Sequence, residues 1–419
     1  MTKKSETLVV SGLEKLHASE DRLNGFYAER KNESHLLAVA AVSGHNLFLI
    51  GSPGTGKDAL IQSFVESFEF YAKNPDKYFW SLIGPTLTPD EVFGGFDIKA
   101  FEQGEFVRNV EGFAPTAYIA NFIELFKGND VINNTFLTYL NEHKIKNGKE
   151  SIDVPLLFAV ASSNEMPDDN QGALVDRFGL KAIVSPVKER RNLKRIWKNR
   201  AAGIKAPDMS DVGITVDEVR AARQAIDEVE ISDAMWEVFW SILEELRKTE
   251  NVGEVSVRKQ NIAIDVLRAE ALLNGRMSVE NEDFEILQHV LWNDPEEAQR
   301  VRGIILRVAS PMMDEIHVGV DAAKKALEGA RKEMRGRAGG MTEEDRIRIG
   351  SEPRREIESV SDALERMAQM TGRDTRVGKE VLRAQGKVAR YQKALMSEVF
   401  GLDVDAVSRL AEEGIDELP

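Results

Sequence analysis

The sequence contains no cysteine. That excludes disulfides, thiolate metal sites and cysteine nucleophiles. Its six histidines show no metal-ligand spacing, so no protein-bound transition metal is expected. No apolar run approaches the roughly 18 residues of a membrane-spanning helix. The segment Met1-Thr2-Lys3-Lys4-Ser5-Glu6-Thr7 lacks the apolar centre of a signal peptide. These absences predict a soluble, cytoplasmic protein with no membrane partner. A surplus of positive charge is also missing. The net charge is −15, which argues against bulk attraction to nucleic acid and makes that partner unlikely. There is no internal repeat and no low-complexity tract.

What is present is a globular composition. Of 419 residues, 42% are hydrophobic and 30% charged, too apolar for a disordered chain and long enough for two to three domains. The organising stretch is Gly51-Ser52-Pro53-Gly54-Thr55-Gly56-Lys57-Asp58. It follows the apolar run Asn46–Ile50 and precedes a helical pattern from Ala59. Strand, glycine-rich loop and helix are the context that makes G-x-x-x-x-G-K a phosphate-binding loop. Its backbone N–H groups and the helix N-terminus would face phosphate oxygens, and Lys57 would reach the β- and γ-phosphates. The following position, normally Ser or Thr on Mg²⁺, is Asp58.

Further along, residues 8–24 and 33–43 read as helices, the second capped by Gly44. Phe79–Ile83 reads as a buried strand, Thr88-Pro89-Asp90-Glu91 as a helix start, and Asp97–Val110 as a hairpin. Ala117–Glu124 reads as a strand ending on an acid, Val131–Leu140 as a helix, and Leu156–Ser162 as a strand covered on both faces. Alternating strands and helices imply a parallel sheet between helical layers, with sites at the strands' carboxyl ends. Beyond about Val187 the pattern is helical. Leu193, Ile196 and Trp197 in the basic run 188–198 are expected to pack inward, and Trp236 and Trp240 to join a helical core. The last part pairs two apolar stripes, Ile357/Val360/Leu364/Met367 and Val381/Val388/Leu395/Val399, as a helical hairpin or short coiled coil. Gly336–Gly340 and Gly350–Pro353 read as loops. This part would either brace an assembly or dock a partner.

Triphosphate hydrolysis needs a phosphate cradle, Mg²⁺, an orienter for water and positive charge at the γ-phosphate. The sequence offers a candidate for each. Gly51–Lys57 is the cradle. Glu124 would polarise water, and Asn164 would hydrogen-bond that water or the γ-phosphate. Arg177 would act as an arginine finger, and Arg258 would reach the phosphates from a lid. The chain resembles an AAA+ ATPase of the MoxR family, RavA-like subgroup, over roughly residues 20–295. The resemblance rests on Gly51–Lys57, Thr88–Gly94, Leu137–Glu142, Ala161–Pro167, Ala173–Phe178, Val255–Arg258 and Gly275–Trp292.

The resemblance implies a P-loop αβα core over 1–200 and an all-α lid over 201–300, while residues 301–419 read from their own periodicity as a helical hairpin or coiled-coil region. It implies ATP/ADP and Mg²⁺ as ligands, Lys57 as Walker A lysine, and Glu124 as Walker B glutamate. Asn164 corresponds to sensor 1, Arg177 to the arginine finger and Arg258 to sensor 2. A ring follows, usually a hexamer, with nucleotide between subunits. The implied partner carries a von Willebrand A domain, and the implied role is ATP-driven remodelling or assembly. Two positions depart from the family pattern. Asp58 replaces the Walker A hydroxyl, and Ile123 stands where the Walker B aspartate is expected. Asp58 would supply the missing carboxylate to the metal. Alternatively Asp58 is a first-turn acid complementing the helix dipole. A competing reading takes the Asp58 and Ile123 departures as a degenerate site, in a nucleotide-gated scaffold with weak or no hydrolysis.

Overall fold

Leu47–Ile50 forms β1, and every one of its residues is buried. Such a short apolar strand is stable only with sheet neighbours on both sides and layers on both faces. The computed structural model supplies both, describing residues 3–167, 171–335, 342–372 and 376–402. In chain order, α1 (Lys3–Phe26) and α2 (Lys31–Ser43) precede β1. There follow α3 (Lys57–Glu66), α4 (Glu69–Lys73), β2 (Tyr78–Leu82), α5 (Pro89–Phe93) and α6 (Ile98–Glu102). Next come β3 (Ile119–Ile123), α7 (Asp130–Glu142), β4 (Lys144–Asn147), β5 (Glu150–Asp153), β6 (Phe158–Ser163), α8 (Gly172–Val175) and β7 (Leu180–Ile183). Five strands make one parallel sheet in the order β2-β3-β6-β1-β7. The register pairs Ile50 with Ser163 and Ile183, and Ile123 with Ser162 and Leu82. Gly51, Glu124 and Asn164 therefore leave the sheet along the same carboxyl edge.

Local chemistry sets the helix boundaries. Gly44 adopts φ 77° and its N–H returns to the Ala40 carbonyl, ending α2. Thr88 and Glu91 form a capping box around the Pro89 start of α5. The 97–110 stretch is not a hairpin: Asp97 caps α6 by accepting from the N–H groups of Lys99 and Ala100, and strand-like pairing is confined to a Phe96–Arg108 bridge. A hairpin does form at β4–β5, which the polar 144–153 sequence hid. Strand β2 is not buried throughout. It lies at the sheet edge, and Trp80 and Leu82 are exposed.

The helices after the sheet are α9 (Arg190–Ala201), α10 (Val216–Ala225), α11 (Asp233–Lys248), α12 (Val257–Leu273) and α13 (Pro295–Ala309). Helix α9 buries no side chain. Ile196 and Trp197 are exposed, so the inward packing expected of them does not occur. Trp236 and Trp240 are exposed as well, because α11 buries its Phe239, Ile242, Leu243 and Leu246 stripe instead. The N-terminal α1 packs along α10. There the Glu218 carboxylate accepts from Ser11 Oγ at 2.6 Å and Lys15 Nζ at 2.7 Å.

His35 on α2 ties α1 to α12. Its Nδ1 lies 3.2 Å from Glu20 Oε1 and its Nε2 2.7 Å from Glu270 Oε2. Burial pushes its pKa down, but the Glu270 and Glu20 carboxylates override that and hold it well above 6.5; the nearby His289 is pushed down to about 4 by burial, so it stays neutral. A raised folded-state pKa stabilises fully below the unfolded value of about 6.5 and is lost as pH rises through the folded value. Replacing His35 by Gln is therefore expected to cost about 1–3 kcal/mol at pH 6. The deficit should shrink in alkaline buffer, as read by thermal melting at both pH values.

The first compact unit ends at Arg302 and the second begins at Gly303. In the second, α14 (Pro311–Arg335), α15 (Glu343–Met370) and α16 (Arg376–Ala394) pack pairwise. Ile316, Leu327, Ile357, Leu364, Val381 and Val388 are among the side chains in their shared core. The expected pairing of the two stripes forms between α15 and α16, and α14 packs against both as a third helix. Helix α15 runs unbroken through Gly350–Pro353. Gly350 is there for closeness, not for a turn, since a Cβ would lie 2.3 Å from the Phe400 ring. The loop expected at 336–340 lies outside the described residues.

Candidate nucleotide site

The glycine-rich loop connects β1 to α3 along the sheet's carboxyl edge. The Gly51 N–H donates to the Ser163 carbonyl at 3.0 Å, and a Cβ on Gly51 would sit 2.2 Å from the Val184 carbonyl oxygen. Gly54 and Gly56 have φ of 76° and 84°, values that disfavour any side chain. Helix α3 opens on Gly56 with no side-chain cap. Its first-turn N–H groups and dipole are suited to an anion. Lys57 Nζ folds back on the loop, 2.5 Å from the Gly51 carbonyl and 3.2 Å from that of Ser52. Burial pushes its pKa below the ordinary lysine range, against the opposing pull of Asp58 and Glu124.

Lys57 Nζ also lies 3.5 Å from Asn164 Oδ1. The Asn164 N–H donates to Glu124 Oε2 at 3.4 Å, and Lys127 pairs with the same oxygen at 3.2 Å. Glu124 has a left-handed φ of 55°, uncommon for a non-glycine residue and concentrated at functional positions. Asp58 Oδ1 accepts from Ser162 Oγ at 3.3 Å. Ser162 and Ile123 are register partners on β6 and β3, so their side chains leave the same sheet face. The acid gained at 58 and the apolar residue at 123 therefore meet around Ser162. Lys57, Asp58, Glu124 and Asn164 are brought together, with Ser162 as a member that the sequence reading did not single out.

Arg177 and Arg258 are placed elsewhere. They line a cleft of about 260 Å³ with His45, Asn46, Asn141 and His143. Asn46 precedes β1 and donates to the Arg177 carbonyl at 3.0 Å. Arg258 donates to Asn141 Oδ1 at 2.9 Å, and burial followed by Arg177 lowers its pKa. Nearby, Lys259 pairs with Asp176 at 3.6 Å. The cleft lies at the amino end of β1, a four-residue strand about 13 Å long, while the loop lies at its carboxyl end. The two arginines form a pair that faces away from the phosphate loop of their own chain.

These groups fit a nucleotide and a metal. The uncapped α3 terminus, the left-handed glycines and Lys57 match a triphosphate. Asp58 and the Ser162 hydroxyl are oxygen donors beside the loop, in keeping with Mg²⁺, which takes one or two carboxylates together with phosphates and waters. Among the described residues no group of three or more His, Cys, Asp or Glu could hold a metal by itself, so the nucleotide would have to complete the site.

Comparison with known proteins bears on the family and the fold. Residues 14–224 match the family described as the MoxR domain in the MoxR-vWA-beta-propeller ternary systems, and residues 234–305 match an AAA lid domain. Two uncharacterized proteins of Methanocaldococcus jannaschii are each 28% identical. One is aligned over 73% of this chain and 77% of its own length, the other over 70% and 76%. A structural protein of Acidianus two-tailed virus is 25% identical over 48% of this chain and 33% of its own. An inferred ATPase of Cytophaga hutchinsonii shares the fold, with TM-score 0.59 and 16% identity over 73% of this chain and 97% of that one. The first family match spans the whole sheet, from the strand before the phosphate loop to the residues that follow β7, and the chain belongs to the MoxR family of AAA+ ATPases.

Proposed function

We propose that the protein hydrolyses ATP in a ring of identical subunits, hexameric as is usual for the family, and uses the cycle to remodel or assemble a protein complex. The observation that carries this reading is the convergence of Lys57, Asp58, Glu124 and Asn164 on one strand edge. The arginine pair at the opposite end supports nucleotide placement between subunits. Lys57 and the loop N–H groups hold the β- and γ-phosphates. Glu124 accepts the proton of the attacking water as its oxygen bonds to the γ-phosphorus and the bond to the ADP oxygen breaks. Asn164 orients that water. Arg177 and Arg258 of a neighbouring copy offset the charge on the γ-phosphate. Mg²⁺, when bound, shares that charge, and Asp58 with Ser162 would hold it. The match to MoxR–vWA systems supports a partner with a von Willebrand A domain, and the motif pattern supports a RavA-like subgroup.

Steady-state phosphate release with and without Mg²⁺, alongside the mass of the particle in ATP, tests the reading. Metal-dependent turnover by an oligomer is expected. For Asp58→Ala, Mg²⁺-dependent ATP affinity should fall about tenfold, while metal-free binding holds or improves as a like charge leaves the site. Equal Mg-ATP binding by both proteins would remove Asp58 from the metal site.

A further inference from the structure

Helix α9 and the phosphate loop are joined through one dipeptide. Arg30 is 4% exposed. Its Nε and one terminal nitrogen donate to the Thr55 carbonyl at 3.1 and 3.0 Å, and that same nitrogen donates to the Ser185 carbonyl at 2.8 Å. Thr55 stands between the two left-handed glycines of the loop. In a trans peptide the carbonyl and the next N–H point oppositely. Holding the Thr55 carbonyl from behind therefore aims the Gly56 N–H outward, toward the phosphate position. A lysine could not reproduce this fork, because its single ammonium cannot set two nitrogens in one plane on the Thr55 carbonyl while one of them also reaches Ser185.

Glu29, the preceding residue, has a left-handed φ of 58°. Its Oε2 accepts from the Lys188 N–H at 3.0 Å, and its Oε1 from the Glu189 N–H at 2.9 Å and Asn192 Nδ2 at 3.0 Å. These are the donors at the start of α9. That helix buries no side chain fully, and this cap and the Arg195 bond to the Gly25 carbonyl at 3.3 Å are its polar anchors. Two successive side chains thus grip the loop and the helix, and the unusual φ between them is what lets them point to different segments.

We propose that Arg30 is a positioning residue for nucleotide binding and that the Glu29–Arg30 pair transmits occupancy of the loop to α9. The inference rests on the nucleotide reading given above. It extends that reading to an output helix that carries six basic residues, no acid and an exposed Trp197.

The test uses the full chain and ADP as the probe, with affinity measured by calorimetry and amide exchange followed over residues 188–199. In the wild type, saturating ADP is expected to change exchange in that segment. Arg30→Met should weaken ADP about tenfold or more and erase the exchange response at saturation. Arg30→Lys should do the same, and it keeps the test readable if the methionine variant does not fold. Glu29→Gln keeps one acceptor oxygen and all the Arg30 bonds, so it should bind ADP near the wild-type value and lose the response. Wild-type affinity in both Arg30 variants would overturn the positioning role. An exchange response absent from the wild type, or unchanged in Glu29→Gln, would overturn the coupling. Failure of the wild type to bind ADP at all would overturn the nucleotide reading itself.

Discussion

Replacing Arg177 by alanine is expected to lower phosphate release about a thousandfold while leaving ADP affinity nearly unchanged. The separation of sites is the reason. Lys57 and the loop lie at the carboxyl end of β1, whereas Arg177 lies at its amino end, with its carbonyl bonded to Asn46. An arginine there has little to do with binding by its own loop. Its Nε is buried with no hydrogen-bond partner among the described residues, which is a cost within the single chain. Mixing sharpens the prediction. Subunits carrying Arg177→Ala keep their loop and Glu124. Subunits carrying Glu124→Gln keep their arginines. Where the second type lies beside the first, one complete site forms from two defective chains. Mixed rings should recover a measurable fraction of turnover that neither variant shows alone. No recovery on mixing, with ring mass preserved, would place each site within one chain.

The Glu124→Gln variant is expected to reduce turnover by about 10²–10⁴-fold with ATP binding retained. Glu124 leaves β3 on a left-handed residue and meets the Asn164 N–H on the adjacent strand's exit. Glutamine preserves size and one acceptor, so the local geometry should survive, but it cannot take a proton from water. The variant should bind ATP and hold the assembled state. Single-turnover phosphate release and equilibrium binding, measured together, separate the two effects. If the wild type turns over no faster than Glu124→Gln, the protein uses nucleotide to set assembly and hydrolyses little of it.

Much of the fold follows from short-range rules. The all-buried run Leu47–Ile50, the Thr88 capping box and the Gly44 helix stop each depend on a few consecutive residues, and each forms where the chain predicts. The loop's neighbours were legible for a related reason. In a parallel sheet the residues directly after the strands share one edge, so Gly51, Glu124 and Asn164 converge once the strands are adjacent.

The remainder depended on contacts between distant segments. Nothing near Trp236 or Trp240 says that α11 turns its other stripe inward, and nothing in 188–198 says that α9 finds no neighbour to bury its Trp197. Gly350 reads as a break until the Phe400 ring is seen against it. Arg30, at a helix start, gives no local sign that its guanidinium reaches carbonyls at 55 and 185. For the phosphate loop, the sequence alone determined a strand–loop–helix with Lys57 and an acid at position 58. Only the tertiary structure decided that this acid meets Ser162 beside Ile123, and that the two arginines gather at the far end of the same strand. Spacing along a chain encodes period and capping. Which face meets which, and at which end of a strand, is fixed only when the layers close together and their side chains compete for the same space.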